Sequence, residues 1–451
     1  MAAPKKVTIR TYQVGFGDCF LLSFQYADQS EKHVLVDFGT TKLPPQAPAT
    51  RMLEIARDIE KRTGGALHAV VATHRHADHI SGFTTAANGK GTGDLIRGLK
   101  PKFVVQPWTE HPDLARNATG PAAIARPGGK GGSNARHVAM LQAMHEVARQ
   151  GLTVAKGARW LNSEMRGRLS FLGEDNVKNL SAVKNLIAMT TPANRVYLKA
   201  GDAARFDKEL GIKVHVLGPP TVDQWAAVAS QRDSDPDEFW QLRRASATFW
   251  RFRGAAAKAA SDGAHNDRKR RKPAPLFPRH VSSLGPTFPV ETRWLVYRAR
   301  NMQAEQLLQI VTELDDAMNN TSVVLVFDMG GKRLLFPGDA QIENWQYALQ
   351  NPANRSLLAS VNLYKVGHHG SRNATPKSLW KLFGNRTSKK SSKKRLSSLM
   401  STLEHKHGSV ANKSEVPRET LVNALQRDTN LFTTQALTDP KVFFHDSVLM
   451  L

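Results

Sequence analysis

Residues 73–79 read Thr-His-Arg-His-Ala-Asp-His and close the apolar run HAVVATH (68–74). Three histidines and an aspartate within six positions, at the end of a buried strand, cost a core far more than they return, because each polar group must be desolvated. The same four side chains suit a divalent cation. Imidazole nitrogen and carboxylate oxygen together favour a borderline ion such as zinc. In a loop, residues i and i+2 reach one ion while i+4 and i+5 turn toward a second. His74 and His76 are therefore candidate ligands of a first ion, and Asp78 and His79 of a second.

The flanking sequence predicts the scaffold. VTIRTYQ (7–13) and CFLLSFQY (19–26) read as strands around the turn Gly15-Phe16-Gly17, and HVLVDFG (33–39) as a buried strand ending at Asp37. Residues 51–62 place Met52, Leu53, Ile55, Ala56 and Ile59 on one helical face. Strand, helix, strand up to residue 74 predicts a βαβ unit whose active loop lies at the strand's C-terminal end. Further on, SVVLVF (322–327) and KRLLF (332–336) flank Met329-Gly330-Gly331 as a hairpin. A helix over IENWQYALQ and a strand over 361–367 follow, ending in His368-His369-Gly370-Ser371.

Between these regions the pattern is less regular. Pro127–Ser133 is a glycine-rich loop without the spacing of a phosphate-binding P-loop, and Ser133 or Asn134 caps a predicted helix with Val138, Leu141, Met144 and Ala148. Residues 254–277 read as a basic linker, with five consecutive cations at Arg268, Lys269, Arg270, Arg271 and Lys272. A second basic tract spans 386–395.

Composition excludes several classes. No apolar run approaches the roughly 18–20 residues a membrane span needs, and MAAPKKVTIRTYQ lacks the apolar core of a secretory signal. Cys19 is the only cysteine, which excludes an intrachain disulfide and a multi-cysteine metal site; in GDCFLLSF it reads as a small buried hydrophobe. These features predict a cytoplasmic protein. With 63 Lys+Arg against 39 Asp+Glu, the formal charge of +24 predicts attraction to polyanions, nucleic acid above all.

The H-x-H-x-D-H run resembles the signature of the metallo-β-lactamase superfamily, and the likeness continues in order through Asp37, Asp339 in FPGDA and His369 in GHHGS. A closer likeness is to the hydrolase domain of ComEC-type DNA-uptake proteins: VGFGD (14–18), LVDFG (35–39), VATHRHADHISG (71–82), YKVGHHGS (364–371) and the tail GSVANKSEVPRETLVNAL (408–425). It covers about residues 5–110 and 318–440 and lacks any membrane-spanning part. The resemblance implies an α/β fold, an αββα four-layer sandwich with a large basic insertion: residues 1–125 as the first half, 126–310 as the insertion and 311–451 as the second half. It also implies a structural hydrogen-bonding role for Asp37, Asp339 as a carboxylate bridging two metals, and His369 as the last ligand, with His368 an alternative.

The sequence departs from the pattern in three places. Asp339 lies further from His79 than a bare domain needs, hence the insertion. The histidine that many members supply between these motifs has no counterpart, and Asn319 and Asn320 stand in its region. The tail's usual histidine is replaced by SEVPR, and His405 and His407 read as surface residues.

The combined expectation is a two-metal hydrolase, Zn²⁺ favoured and Mn²⁺ as alternative. Asp78, His79 and Asp339 sit at its catalytic core, Asn320 and Ser371 position substrate oxygens, and Arg268–Arg271 contact a phosphate backbone. A nuclease acting on DNA, in bacterial DNA processing or defence against phage and with a regulatory protein partner, is the first expectation. A small-molecule phosphodiesterase is the rival enzyme, and a nucleic-acid-binding protein with a latent site the rival without catalysis.

Overall fold

The computed structural model describes residues 2–111, 180–229, 318–404, 406 and 415–451. Strand formation at the N-terminus follows from period-two burial on both faces of a sheet. In β2 (Cys19–Gln25), Phe20, Leu22 and Phe24 point one way and Leu21 the other; β3 (Glu31–Phe38) repeats this with Val34 and Val36 against Leu35. β4 (Ala69–Val71) sets Ala69 and Val71 against Val70. Because both faces are buried, such strands appear in the sequence as unbroken apolar runs.

Two mixed sheets result. The first has the order β13-β1-β2-β3-β4-β5-β6, with β1 (Lys6–Tyr12), β5 (Phe103–Pro107), β6 (Arg195–Leu198) and β13 (Phe444–Met450). Its members are antiparallel from β13 to β3 and parallel from β3 to β6. The second has the order β12-β11-β10-β9-β8-β7, made of β7 (Lys213–Gly218), β8 (Val324–Asp328), β9 (Arg333–Phe336), β10 (Leu363–Lys365), β11 (Ser397–Met400) and β12 (Asn430–Thr433). It is antiparallel from β7 to β9 and parallel from β9 to β12.

The inner faces share one core. Phe20 and Phe24 of the first sheet meet Phe336 and Phe327 of the second, with centroids 5.7 and 6.3 Å apart. Each such ring contributes about 1.5–3 kcal/mol by burial. Helices cover the outer faces: Arg51–Thr63 packs Ile55 and Ile59 behind the first sheet, and Ile342–Gln350 and Glu419–Asp428 pack Trp345, Leu421 and Leu425 behind the second. Among the described residues, no helix is long and apolar enough to cross a membrane.

The βαβ unit, the hairpin after residue 322 and the buried Cys19 match the sequence expectations. Residues 180–229, within the expected insertion 126–310, supply β6 to one sheet and β7 to the other. Their strands are only four and six residues long, too short to stand out as apolar runs. The helix expected after Ser133 and the basic linker 254–277 lie outside the described residues.

The basic tract at 386–395 also differs from expectation. Lys389, Lys390, Lys393 and Lys394 are exposed, but Arg395 is buried and its Nη2 donates to the carbonyls of Gln426, Arg427 and Thr429 at 3.2, 2.8 and 2.8 Å. It closes the C-terminus of helix Glu419–Asp428, where carbonyls lack intrahelical donors.

Candidate metal centre

Parallel strands aim their C-terminal ends at one place, where open α/β sheets carry their sites. Asp37 ends β3, residues 73–79 follow β4, Asp339 follows β9, and His368 and His369 follow β10. Four-residue helix Ala77–Ile80 begins after His76, whose backbone is extended, so the chain turns sharply between the first and second pair of candidate ligands.

Among the described residues the side chains form three donor groups, and within each the donor atoms lie within 4.8 Å of one another. Asp18 and Asp37 meet His79 on its Nδ1 side, while Asp78, His79, Asp339 and His369 make a second group that adjoins a third, His74, His76 and Asp78. His79 Nε2 is 3.0 Å from Asp339 Oδ2, and His369 Nε2 is 2.9 Å from Asp78 Oδ2 and 3.7 Å from Asp339 Oδ2. His74 Nε2 and His76 Nδ1 converge at 3.0 Å. All six residues are buried. Yet Asp78 Oδ1 has no hydrogen-bond partner, and His79 Nε2 and Asp339 Oδ2 meet only as an ion pair without a well-directed hydrogen bond, although a buried donor or acceptor left unsatisfied costs about 1–3 kcal/mol. Orphaned nitrogen and oxygen atoms gathered face to face fit divalent cations as shared partners. Asp78 belongs to both of these adjoining groups and Asp339 Oδ2 faces two imidazoles, so the donors could hold a metal ion.

Residues behind the donors fix which atoms face inward. Asp37 accepts from Thr73 N–H at 2.7 Å and Thr73 Oγ1 at 2.8 Å, and holds His79 Nδ1 at 2.8 Å. The Ser401 carbonyl lies 2.9 Å from His369 Nδ1, and since a carbonyl can only accept, Nδ1 carries the proton. In a neutral ring that leaves the Nε2 lone pair of both His79 and His369 open to a metal ion.

The backbone is strained at the same point. Asp37, His368 and His369 all have left-handed φ angles, 55°, 42° and 51°, at about 1–2 kcal/mol each. Gly39 lies so close to the Asp78–His79 peptide that any side chain would overlap it.

The electrostatics are those of a packed charge cluster. Burial alone would lower His79 and His369, but Asp339 first, then Asp37 and Asp78 around His79 and Asp18 and Asp78 around His369, raise both. Burial would likewise raise Asp78 and Asp339. His79 foremost, joined by His369 for Asp78 and Lys365 for Asp339, holds both carboxyls below their usual range. His74 is lowered by burial and by the neighbouring imidazoles of His79 and His76, and burial pushes His368 down to about 4. A divalent cation held by these residues would replace the imidazolium protons as counter-charge, and its uptake would then release protons.

The structure thus brings together His74, His76, Asp78, His79, Asp339 and His369. His368 stands apart from the donor groups: its backbone N–H donates to Asp339 Oδ1 at 3.0 Å, and the residue is partly buried. Asn320 is tied into a buried network, donating to Glu343 at 3.1 Å and accepting from Asn344 at 3.0 Å. Ser371 Oγ donates to Asn373 at 3.1 Å inside its own turn. Arg268–Arg271, His405 and His407 lie outside the described residues.

Three contributors carried no role in the sequence reading. Asp18 and Lys365 form a buried ion pair behind the donors, and Ser401 holds His369. A lysine inside the apolar strand Leu363–Lys365 was the available signal, since period two places it on the core face with Leu363. Compared with known families and curated proteins, the chain matches no family model and no curated sequence.

Proposed function

We propose that this chain is a metal-dependent hydrolase of the metallo-β-lactamase superfamily, with its sheets and helices as the αββα sandwich, acting on phosphodiester bonds and on DNA in particular. The observation that carries the hydrolase reading is the pair of donor groups joined by Asp78 and by Asp339 Oδ2 at the strand ends. Bound divalent cations supply Lewis acidity and make water nucleophilic near neutral pH. His74, His76 and Asp78 would hold one ion, and Asp78, His79 and His369 the other, with Asp339 between them. Asp37 and Ser401 keep the imidazole tautomers ligand-competent, and the apolar inner core behind excludes bulk water from the charges.

DNA as substrate is supported by the +24 charge, which favours phosphate backbones. One observation favours the rival, a small phosphodiester. The exposed lysines of 389–394 precede β11, whereas the site lies past its other end at Ser401, so this tract does not flank the donors. The test is hydrolysis of supercoiled plasmid, single-stranded DNA, RNA and bis-p-nitrophenyl phosphate by stripped protein given Zn²⁺, Mn²⁺ or Mg²⁺. Metal-dependent cutting of polymer that vanishes in Asp78→Ala/His79→Ala supports the nuclease. Turnover of the small ester alone supports the rival, and no turnover of any substrate contradicts the hydrolase.

A further inference from the structure

Lys365 ends β10 and points, by strand alternation, into the core between the sheets. A buried ammonium persists there only with strong partners. It has three: Asp18 in close ion-pair contact, Asp339 Oδ1 at 3.5 Å and the Gly338 carbonyl at 3.4 Å. All three charged side chains are 2% exposed or less. Asp18 is itself fixed by the motif loop, its N–H donating to the Asp78 carbonyl at 2.8 Å.

The contacts divide the Asp339 carboxylate. Oδ1 is held by the His368 N–H at 3.0 Å and by Lys365, whereas Oδ2 makes no hydrogen bond and faces His79 and His369. Without the ammonium, Asp339 could rotate or bind one ion through both oxygens. Asp18 would then be left as an uncompensated carboxylate 3.7 Å from the Nδ1 atoms of both His79 and His369.

Building on the metal-centre reading above, we infer that Lys365 is a positioning residue that lets one oxygen of Asp339 be shared by two ions, and thereby sets how many ions the site holds. Its ammonium contacts Asp18, Asp339 and the Gly338 carbonyl, and so links the first sheet's loop to the second sheet's Asp339 carboxylate.

The test compares the full chain with Lys365→Met and with Lys365→Met/Asp18→Asn, which removes both charges of the pair and protects folding. Bound Zn²⁺ is counted by mass spectrometry at graded free Zn²⁺, the Co²⁺ absorption spectrum is recorded, and melting of the stripped proteins checks the fold. The expected result is that both variants keep one ion and lose affinity for the second by about 10–100-fold, with an altered Co²⁺ spectrum. A folded double variant that holds both ions as tightly as the parent overturns the inference, because Lys365 then merely neutralises Asp18. A parent chain that takes up no ion overturns the metal-centre reading, and this inference with it.

Discussion

Asp37→Asn changes two atoms and should disable the site without dismantling it. The side-chain oxygen facing Thr73 N–H must remain an acceptor at its 2.7 Å contact, so the new amide nitrogen takes the place of Oδ2. That nitrogen faces His79 Nδ1 at 2.8 Å and, being a donor, requires Nδ1 to accept. The imidazole proton then moves to Nε2, the atom that faces Asp339 Oδ2 and would be the ligand in the proposed centre. Stability should change modestly, since the hydrogen bonds are re-formed with reversed polarity and the buried charge, whose carboxyl burial pushes up, is removed. Losing charge assistance costs about 1–2 kcal/mol, or roughly 1–3 °C in Tm for a domain of this size. Metal affinity should fall about 10–100-fold, as for other residues that orient ligating histidines. The assay is Zn²⁺ titration by calorimetry alongside thermal melting of stripped protein. A folded Asp37→Asn variant with parental Zn²⁺ affinity would refute the tautomer argument.

Three further outcomes follow from the packing. Gly39→Ala drives a methyl into the Asp78–His79 peptide and should destabilise by about 1–3 kcal/mol while weakening metal binding, whereas Gly98→Ala, with open space around it, should leave metal binding unchanged; melting and metal content read both. Arg395→Ala should lower stability by about 2 kcal/mol through its three abandoned carbonyls, while joint alanine replacement of Lys389, Lys390, Lys393 and Lys394 should shift it by no more than about 0.5 kcal/mol per site, as urea denaturation would show. Burial pushes His33 down to about 4, so between about pH 6.5 and 4 the unfolded chain binds a proton the folded chain does not. Stability therefore falls as pH drops through that window, by about 3 kcal/mol at most, and His33→Gln should flatten the slope in pH-dependent denaturation.

Much of the centre was legible because metal ligation and strand burial leave local signatures. The 73–79 run, Asp37, Asp339 and His369 each sit at the end of an apolar run, and the fold carries them to one point. What escaped the sequence depends on long-range partners. Lys365 and Asp18 lie in different halves of the chain and acquire meaning only when they meet in the core. Arg395 looks like one more cation in a basic tract, yet helix-end carbonyls claim it. Short strands such as Arg195–Leu198 are set by the sheet edge they join and carry too few residues for a period to show.

Whether Asp78, His79, Asp339 and His369, with His74 and His76, form a metal centre is tested most directly by equilibrium uptake of Zn²⁺ and Mn²⁺. Stripped protein is measured beside Asp78→Ala/His79→Ala. Two ions per chain, proton release on uptake and loss of high-affinity binding in the variant are the expected results. A folded parent chain that binds no ion, or binds it equally well after both substitutions, would contradict the metal centre.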